Sequence, residues 1–306
     1  MAIHRTTRRN FLGLSTMAFA AGALALRPQT AAASPLGLPL GLQLYSVREM
    51  LATDYLGTLK QLSAIGYQEV EAAGFFGKTP AQVREAMSAA RLSLVSAHYS
   101  SNDLGKSFDD TLAFCKALGL EYLICSFPGI KDPSRVKDHS HAGVLEAFTL
   151  EDYRWNAENF NAWGRKVKAA GMKFGYHNHT MEFAPQDGVI PFDELVRLTD
   201  PELVTFELDC GWVVVGGGDP VDYLHRHADR ISMLHVKDFK PTTATATMID
   251  PPPAAELGRG TLDYHRIFEA AKKAKIRHYF VEQEAYDMPP FEALRIDAQY
   301  MQNLQV

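Results

Sequence analysis

The sequence has few cysteines and a deficit of basic residues. Its three cysteines, Cys115, Cys125 and Cys210, are odd in number and widely spaced. This pattern excludes a disulfide framework and a zinc ribbon, and it favours small apolar side chains buried in a core. The 36 acidic residues outnumber the 31 lysines and arginines, which gives a formal net charge of −5. Nucleic-acid binding requires basic surfaces, so we expect no nucleic-acid partner.

The N-terminal apolar run is too short for a membrane-spanning helix. Residues 12–26 carry no charge, but a spanning helix needs roughly 20 apolar residues. The run follows Arg8 and Arg9 in the stretch TRRNFL and precedes alanines at 31–33, the order of a cleaved signal peptide. The paired arginines indicate export by the twin-arginine route. We expect a periplasmic protein that starts at Ser34 and keeps no stable membrane anchor after cleavage.

Cleavage also makes the chain more acidic. Residues 1–33 contain four arginines and no acidic residue, so their loss changes the formal net charge from −5 to −9. The twin-arginine route carries folded proteins, and one reason to use it is a cofactor that must be loaded before export. That reason suits a protein that binds a metal ion.

From residue 40 onward, short apolar runs alternate with amphipathic stretches. The apolar runs predict strands at 41–47, 67–72, 92–98, 122–127, 173–179, 204–209, 231–237 and 278–284. The amphipathic stretches predict helices near 52–65, 80–90, 107–118, 150–170, 191–199, 219–229, 263–275 and 290–304. Strands that alternate with helices form parallel sheets, and eight such units favour closure into a barrel. We predict an α/β protein, a single-domain (β/α)8 TIM barrel over 34–306, preceded by the signal peptide at 1–33.

Two segments rich in glycine or proline lie between predicted elements. The stretch 241–257 contains three consecutive prolines at 251–253, and it is either a lid or a plain connection. Three glycines at 216–218 precede a predicted helix. They lack the Lys-Ser/Thr pair of a phosphate-binding loop, so they predict a tight turn.

Polar residues close six of the eight predicted strands. In barrels of this kind the active site lies at the C-terminal ends of the strands. The residues at those ends are Glu69 and Glu71, Ser96 and His98, His177 and His179, Glu207 and Asp209, His235 and Lys237, and Glu282 and Glu284. Side chains two residues apart in a strand share a face, so both members of a pair could point to the barrel mouth. Burying so many ionisable groups is costly unless something pairs them, and a divalent metal ion does so.

At these residues the sequence resembles the xylose isomerase-like superfamily. The resemblance is carried by GLQLYSVR at 41–48, YHNHTMEF at 176–183, LDCGW at 208–212, HVKD at 235–238 and VEQE at 281–284. Within the superfamily the sequence is most similar to the sugar phosphate isomerase/epimerase group, which is related to D-tagatose 3-epimerase and inosose dehydratase. The resemblance implies one divalent metal ion, with manganese, zinc, cobalt and magnesium left open.

The resemblance also implies a ligand set. Epimerases of the superfamily bind the ion with Glu, Asp, His and Glu at the ends of strands five to eight. Asp209, His235 and Glu282 match three of these positions. The strand-five glutamate is absent, and His177 is nearest to its place, with His179 as the competitor.

Further roles follow from the same likeness. Glu282 is expected to act as the base, with His177, His179 or Lys237 as the partner acid. The predicted substrate-binding residues are Glu71, His98, His179, Glu182 and Trp212. Trp212 stands where epimerases usually have a histidine, and we expect it to stack on a sugar face or to cover the site.

These residues predict a metal-dependent sugar isomerase or epimerase. It would abstract a proton next to a carbonyl and pass through an enediolate. A lyase of the inosose dehydratase or 3-keto-glycoside type is the alternative, and the missing strand-five glutamate favours elimination. A non-catalytic sugar-binding barrel is the third reading. The expected partner is a small carbohydrate, unphosphorylated because the protein is exported, and a homo-oligomer stays open.

Overall fold

The computed structural model describes residues 34–243 and 247–306. The predicted signal peptide at 1–33 lies outside the described residues, so its cleavage and its role in export stay predictions. In the described part of the chain, no helix combines the length and the apolar character that crossing a bilayer requires.

Eight of ten strands form one closed parallel barrel. The strands are β1 (Gly41–Gln43), β2 (Glu69–Ala72), β3 (Ser93–Ser100), β4 (Tyr122–Phe127), β5 (Lys173–His177), β6 (Val204–Asp209), β7 (Ile231–Val236), β8 (Asp238–Phe239), β9 (Ala254–Ala255) and β10 (His278–Val281). The order around the barrel is β1-β10-β7-β6-β5-β4-β3-β2, and β8 pairs with β9 as a separate antiparallel ribbon. The predicted (β/α)8 barrel is confirmed.

Helices follow the strands around the outside of the barrel. They are α1 (Arg48–Thr53), α2 (Tyr55–Ile65), α3 (Pro80–Ala90), α4 (Ser101–Leu118), α5 (His141–Glu146), α6 (Leu150–Ala169), α7 (Pro191–Leu198), α8 (Cys210–Val215), α9 (Pro220–Arg226), α10 (Tyr264–Ala271) and α11 (Pro290–Asn303). Three 3-10 helices are also present, at Pro35–Gly37, Leu44–Val47 and Pro133–Arg135. The short helices α1, α5 and α8 were not predicted from the sequence.

Four predicted strands were too long at the barrel mouth. β1, β5, β7 and β10 end at Gln43, His177, Val236 and Val281, so the chain leaves the sheet one to four residues earlier than expected. After β1 the chain turns at once into the 3-10 helix Leu44–Val47. Several polar residues that were assigned to strands therefore lie in the loops that surround the mouth.

Local sequence signals explain where many helices begin and end. Thr79 forms a capping box with Gln82 before α3, and Asp219 accepts a hydrogen bond from the Val221 N–H before α9. The glycines that follow α2, α4 and α6 have positive φ angles of 123°, 80° and 85° at Gly66, Gly119 and Gly171. Such angles suit glycine and end a helix.

Apolar side chains fill the inside of the barrel below the mouth. A separate buried cluster consists of Val95, Tyr122, Ile124, Met233 and Phe280. The ring of Phe280 lies 6.1 Å from the ring of His235, which places polar groups directly above this apolar floor. Each large side chain buried in this way contributes roughly 1.5–3 kcal/mol. The inside of the barrel is therefore a packed apolar core beneath the polar residues of the mouth, and not a pore.

The strand register brings the polar residues to a common level. His177 pairs with Glu207 between β5 and β6, and Asp209 pairs with His235 between β6 and β7. On the other side of the barrel, Glu71 pairs with Ser96 between β2 and β3. These pairings place ligand-type side chains from several strands around one axis.

Candidate metal centre

A cleft of about 520 Å³ opens at the C-terminal ends of the barrel strands. Its lining includes the predicted residues His98, His177, His179, Trp212, Glu282 and Glu284. Met248 and Pro251, from the loop that follows the β8 strand, also line it, so this loop forms part of the wall. A larger and more open hollow of about 680 Å³ is lined by residues of α10 and α11 and contains none of the predicted site residues.

Two groups of possible metal ligands meet at His235. The first, which we call the mouth set, is Asp209, His235 and Glu282. The Nδ1 atom of His235 lies 3.1 Å from Glu282 Oε2 and 3.8 Å from Asp209 Oδ2. All three side chains are buried, and Glu282 also reaches the cleft. Three protein ligands beside an accessible cleft are typical of a catalytic metal site with an open position.

The second group, which we call the deep set, is His98, His177, Glu207 and His235. Its centre is Glu207 Oε2, which lies 2.8 Å from His98 Nε2, 3.1 Å from His177 Nδ1 and 3.3 Å from His235 Nε2. Glu207 precedes Asp209 by two residues on β6, which places this group further into the barrel. His235 faces the mouth set with one ring nitrogen and the deep set with the other.

The structure brings together three of the four predicted metal ligands. Asp209, His235 and Glu282 form the mouth set, whereas His177 belongs to the deep set. His179, the competing ligand, is in neither set, and its ring centre lies 5.0 Å from that of His177. The ligand role of each residue stays a prediction.

Lys237 lies between three carboxylates at the mouth. Its Nζ atom is 2.8 Å from Glu282 Oε2, 2.6 Å from Glu284 Oε1 and 3.3 Å from Asp209 Oδ2. The same ammonium group lies 4.5 Å from the centre of the Trp212 ring, within the range of a cation–π contact. Lys237 therefore pairs with acids of the cleft.

Glu71 and Glu182 hold histidines in place. Glu71 Oε1 lies 2.7 Å from His98 Nε2 and 2.8 Å from His235 Nε2. Glu182 accepts hydrogen bonds from the backbone N–H of His179, at 3.0 Å, and from the Tyr176 hydroxyl. It is fully buried behind His179, and burial raises its pKa to about 7. Both glutamates had been predicted to bind substrate, and the structure gives each a partner within the protein.

Charges at the centre are arranged to keep the carboxylates ionised. Burial alone would raise the pKa of Glu282 and of Glu207. The charges of Lys237 and His235 outweigh that effect and hold both pKa values well below the usual range. Burial likewise opposes protonation of His98, yet the charge of Glu71 raises the pKa of His98 to about 9. The centre thus contains ionised carboxylates that are stabilised by neighbouring positively charged side chains.

Several buried polar atoms of this site have no hydrogen-bond partner among the described residues. They are Glu207 Oε1, Asp209 Oδ2, His179 Nδ1 and Trp212 Nε1. Asp209 Oδ2 is within ion-pair distance of Lys237 but makes no hydrogen bond. A buried unsatisfied group costs about 1–3 kcal/mol, so such atoms in one place indicate that a ligand completes the site. Carboxylate and imidazole donors suit a divalent transition-metal ion.

Three supporting residues were not recognised from the sequence. Gln43 donates a hydrogen bond of 2.8 Å to Glu71, and the Asn178 amide oxygen accepts one of 3.0 Å from the Asp209 N–H. Asp238 accepts hydrogen bonds from five backbone N–H groups, those of Phe239, Gly258, Gly260, Thr261 and Leu262. All three lie within the motifs that carry the family resemblance, which was the available signal.

Comparison with known proteins agrees with this architecture. A family model described as "Xylose isomerase-like TIM barrel" matches residues 59–304. The chain belongs to this family. It is 24% identical to an inosose dehydratase of Lacticaseibacillus casei over 263 residues, which cover 76% of this chain and 84% of that protein. The predicted family resemblance is therefore confirmed, and the family is one of enzymes.

Solved structures of the family superimpose well on this barrel. A sugar phosphate isomerase/epimerase from Parabacteroides distasonis ATCC 8503 is 27% identical, with a TM-score of 0.67 over 85% of this chain and 96% of that one. The IolI protein with a bound zinc atom has a TM-score of 0.64 over 86% of this chain and 96% of that one. At 14% identity the second likeness concerns the fold alone.

Proposed function

We propose that this protein is a metal-dependent carbohydrate lyase of the dehydratase type. It removes a proton next to a carbonyl group and expels a hydroxyl group from the neighbouring carbon. One observation carries this proposal: Glu282 contacts the Lys237 ammonium at 2.8 Å beside the cleft, while the family resemblance assigns His177 to the place of the second glutamate of epimerases. The inosose dehydratase relative supports the same reaction class.

The mouth set would hold the metal ion of this reaction. Asp209, His235 Nδ1 and Glu282 provide an acidic site with an imidazole, a donor set that suits zinc, manganese or cobalt. When bound, a divalent ion supplies Lewis acidity that polarises the carbonyl group of the substrate. The unsatisfied Asp209 Oδ2 and the low pKa of Glu282 fit such a cation.

The protein's own groups account for the proton movements. The ionised Glu282 takes the proton from the carbon next to the carbonyl, and the electron pair of that C–H bond forms a carbon–carbon double bond. Lys237 donates a proton to the departing hydroxyl group, which leaves as water when its C–O bond breaks. Glu282 then returns its proton to Lys237 across their 2.8 Å contact. The sum is the loss of one water molecule, and both residues regain their charge.

The cleft can bind a small carbohydrate. Its volume of about 520 Å³ lies within the usual range of small-molecule sites. Trp212 offers a ring for stacking beside His179, with ring centres 6.1 Å apart. Both side chains line the cleft, and their ring nitrogens Trp212 Nε1 and His179 Nδ1 are buried without hydrogen-bond partners among the described residues.

Incubation with candidate substrates in deuterated water tests this reaction. The panel contains inososes, 3-keto-glycosides and unmodified ketoses, and NMR and ultraviolet absorption report the products. We expect an unsaturated ketone from one of the first two classes. No unsaturated product and no deuterium incorporation, despite measurable binding, would overturn the proposal and favour a sugar-binding barrel.

Isomerisation or epimerisation is the second candidate. The sugar phosphate isomerase/epimerase at 27% identity favours it, because both reactions begin with the same proton abstraction. In this case deuterium enters a saturated product whose carbon skeleton keeps its hydroxyl groups. The Lys237→Met variant separates the two outcomes. If Lys237 protonates the leaving group, this variant keeps deuterium exchange and loses elimination.

We also propose that residues 1–33 direct export by the twin-arginine route. The support is the TRRNFL stretch and the apolar run that follows it. Cell fractionation of the tagged full chain would place it in the periplasm, and Arg8→Lys with Arg9→Lys would retain it in the cytoplasm. A cytoplasmic location of the unaltered chain would contradict this proposal and would reopen phosphorylated sugars as substrates.

A further inference from the structure

We propose that the deep set binds a second metal ion, with His98, His177, Glu207 and His235 as its four protein ligands. This inference goes beyond the proposed reaction and rests on different atoms. The ion of the proposed reaction would bind Asp209, Glu282 and the Nδ1 atom of His235. The second ion would bind on the Nε2 side of the same imidazole.

The spacing of the four ligand atoms suits a tetrahedral ion. Ligand atoms about 2.0–2.1 Å from a tetrahedral zinc ion lie about 3.3–3.4 Å from one another. Glu207 Oε2 lies 2.8, 3.1 and 3.3 Å from the three imidazole nitrogens of the set. All four atoms lie within 4.8 Å of one another. Small outward movements of the side chains would place them at zinc-binding distances.

Hydrogen bonding alone does not satisfy Glu207. Glu207 Oε2 makes hydrogen bonds with His98 Nε2 and His177 Nδ1, whereas His235 Nε2, 3.3 Å away, is hydrogen-bonded to Glu71 Oε1 at 2.8 Å. The other oxygen of Glu207, Oε1, is buried and has no hydrogen-bond partner among the described residues. A cation at the centre of the three imidazoles would accept a lone pair from each of these ring nitrogens and would pair with the Glu207 carboxylate.

The two sets differ in the way that structural and catalytic metal sites differ. Structural zinc sites have four protein ligands, and catalytic sites have three ligands and an open position. The deep set supplies three imidazoles and one carboxylate. The mouth set supplies three ligands next to the cleft, and Lys237 occupies the adjacent space. His98 and His177 of the deep set also line the cleft, so the number of protein ligands and not enclosure separates the two sets. With four protein ligands the deep ion would have no open position, and we assign it the role of fixing the orientation of His235 for the mouth set.

Sharing His235 gives the proposal a second observable consequence. One ring nitrogen faces each set, so occupation of both sites makes His235 a bridge between the two ions. A bridging imidazole carries no proton on either nitrogen. Binding of the two ions must therefore release the protons that His235 holds in the metal-free protein, which a titration in weakly buffered solution detects.

Metal counting on the full mature protein tests the proposal. The protein is stripped with a chelator, reloaded with zinc, separated from free zinc and analysed for zinc per chain. We expect two ions for the unaltered protein and one for His98→Gln, Glu207→Gln or Asp209→Asn. The matched control is His278→Gln, a histidine held by a glutamate at the opposite end of the barrel, which should keep two ions.

Each outcome of this experiment is decisive for one of the two sites. One zinc per chain, kept in His98→Gln and Glu207→Gln but lost in Asp209→Asn, overturns the deep site and leaves the proposed function intact. One zinc that survives Asp209→Asn but is lost in Glu207→Gln supports the deep site and contradicts the mouth site. If a variant fails to fold by circular dichroism, the unaltered protein decides, because a maximum of one ion excludes a second site.

Cobalt substitution provides an independent readout. Cobalt(II) in a four-coordinate site of imidazoles and a carboxylate absorbs visible light far more strongly than octahedral cobalt(II). We expect an intense band for the unaltered protein and for Asp209→Asn, and its loss in Glu207→Gln. A spectrum of weak octahedral type in the unaltered protein would overturn the tetrahedral deep site.

Discussion

The two ends of the barrel treat charged side chains in opposite ways. At the N-terminal end, His278 Nδ1 lies 2.8 Å from Glu69 Oε2, and Lys173 Nζ lies 2.8 Å from Glu121 Oε1. Glu121 and Lys173 keep 46% and 55% of their side-chain surface exposed, so water shares the task of solvating them. These are simple pairs, and such pairs contribute little to stability when they are exposed.

At the C-terminal end, more charged side chains lie close together and they are less exposed to solvent. Glu71, Glu207 and His235 are fully buried, and carboxylate oxygens of Glu207 and Asp209 lack hydrogen-bond partners among the described residues. The apolar floor beneath them is packed without such defects. Buried groups without partners lower stability, so their concentration at one end indicates selection for binding and chemistry there. The N-terminal end, where Glu69 pairs with His278 and Glu121 pairs with both Lys173 and His278, serves the stability of the barrel.

Replacement of one glutamate at each end of the barrel should give the largest difference in kcat. Glu282→Gln removes the proposed base, and a lost general base lowers kcat by about 10²–10⁴-fold. Glu69→Gln alters a glutamate of the N-terminal end that pairs with His278 and does not line the cleft, so it should leave kcat within about twofold of the unaltered protein. Turnover of the substrate found in the screen measures both. Equal losses in the two variants would show that the contrast between the ends is not functional.

Zinc should stabilise the protein through ligands at the C-terminal end of the barrel. An ion at 100 times its dissociation constant stabilises the folded state by about 2.7 kcal/mol, which corresponds to about 5–10 °C in Tm for a chain of this size. We expect zinc to raise the Tm of the unaltered protein and of Asp193→Asn, which pairs with Arg226 outside the site. The increase should be reduced in Asp209→Asn. An identical increase in all three proteins would place the stabilising zinc elsewhere.

The sequence was sufficient for the barrel because its signals are local and repeated. The strands at 122–127 and 204–209 match the observed β4 and β6 at both ends, and α3 matches the predicted helix at 80–90. Residues such as Thr79 and Gly119 end or begin helices through their own backbone and side-chain chemistry. These interactions need no knowledge of distant parts of the chain.

The ligand arrangement was harder to predict because it depends on contacts across the barrel. The period of two in strands correctly placed Glu207 and Asp209 on one face, but they serve different ligand sets. His177 was expected beside Asp209, and it instead contacts Glu207, its register partner on β6. The register between neighbouring strands sets this difference, and a local pattern does not encode it.

Replacement of Asp238 should distinguish an acidic residue that stabilises the fold from the acidic residues that are predicted to bind metal. It follows Lys237 directly, yet it accepts five backbone hydrogen bonds and organises the loop 258–262. Asp238→Asn replaces one acceptor oxygen with an N–H donor facing the amides of Gly258 and Gly260. We expect a loss of about 2 kcal/mol in the free energy of unfolding, the scale of hydrogen bonds to a charged group. Urea denaturation measures it.

Asp209→Asn is the matched comparison for this prediction. Its Oδ1 atom can still accept the hydrogen bond from the Trp212 N–H, so we expect little loss of stability in the metal-free protein. A metal-free Asp209→Asn protein as unstable as Asp238→Asn would show that both acids are structural. That result would contradict the distinction between Asp209 as a metal ligand and Asp238 as a residue that stabilises the fold.

The smallest effect should come from His278 at the N-terminal end. Burial lowers its pKa, but the hydrogen bond with Glu69 outweighs burial and raises the pKa above the usual value of about 6.5. The folded state therefore binds the proton more tightly than the unfolded state. The resulting stability is fully present below about pH 6.5 and is lost as the pH rises through the folded-state pKa.

We expect His278→Gln to reduce the free energy of unfolding by about 1 kcal/mol at pH 6 and to have little effect at pH 9. Glu69→Gln should remove most of this pH dependence, because Glu69 is the nearer of the two glutamates that contact His278, at 2.8 Å against 3.5 Å for Glu121. If the pH dependence survives both substitutions, it arises from the buried histidines of the mouth, and the simple division between a stabilising end and a functional end fails.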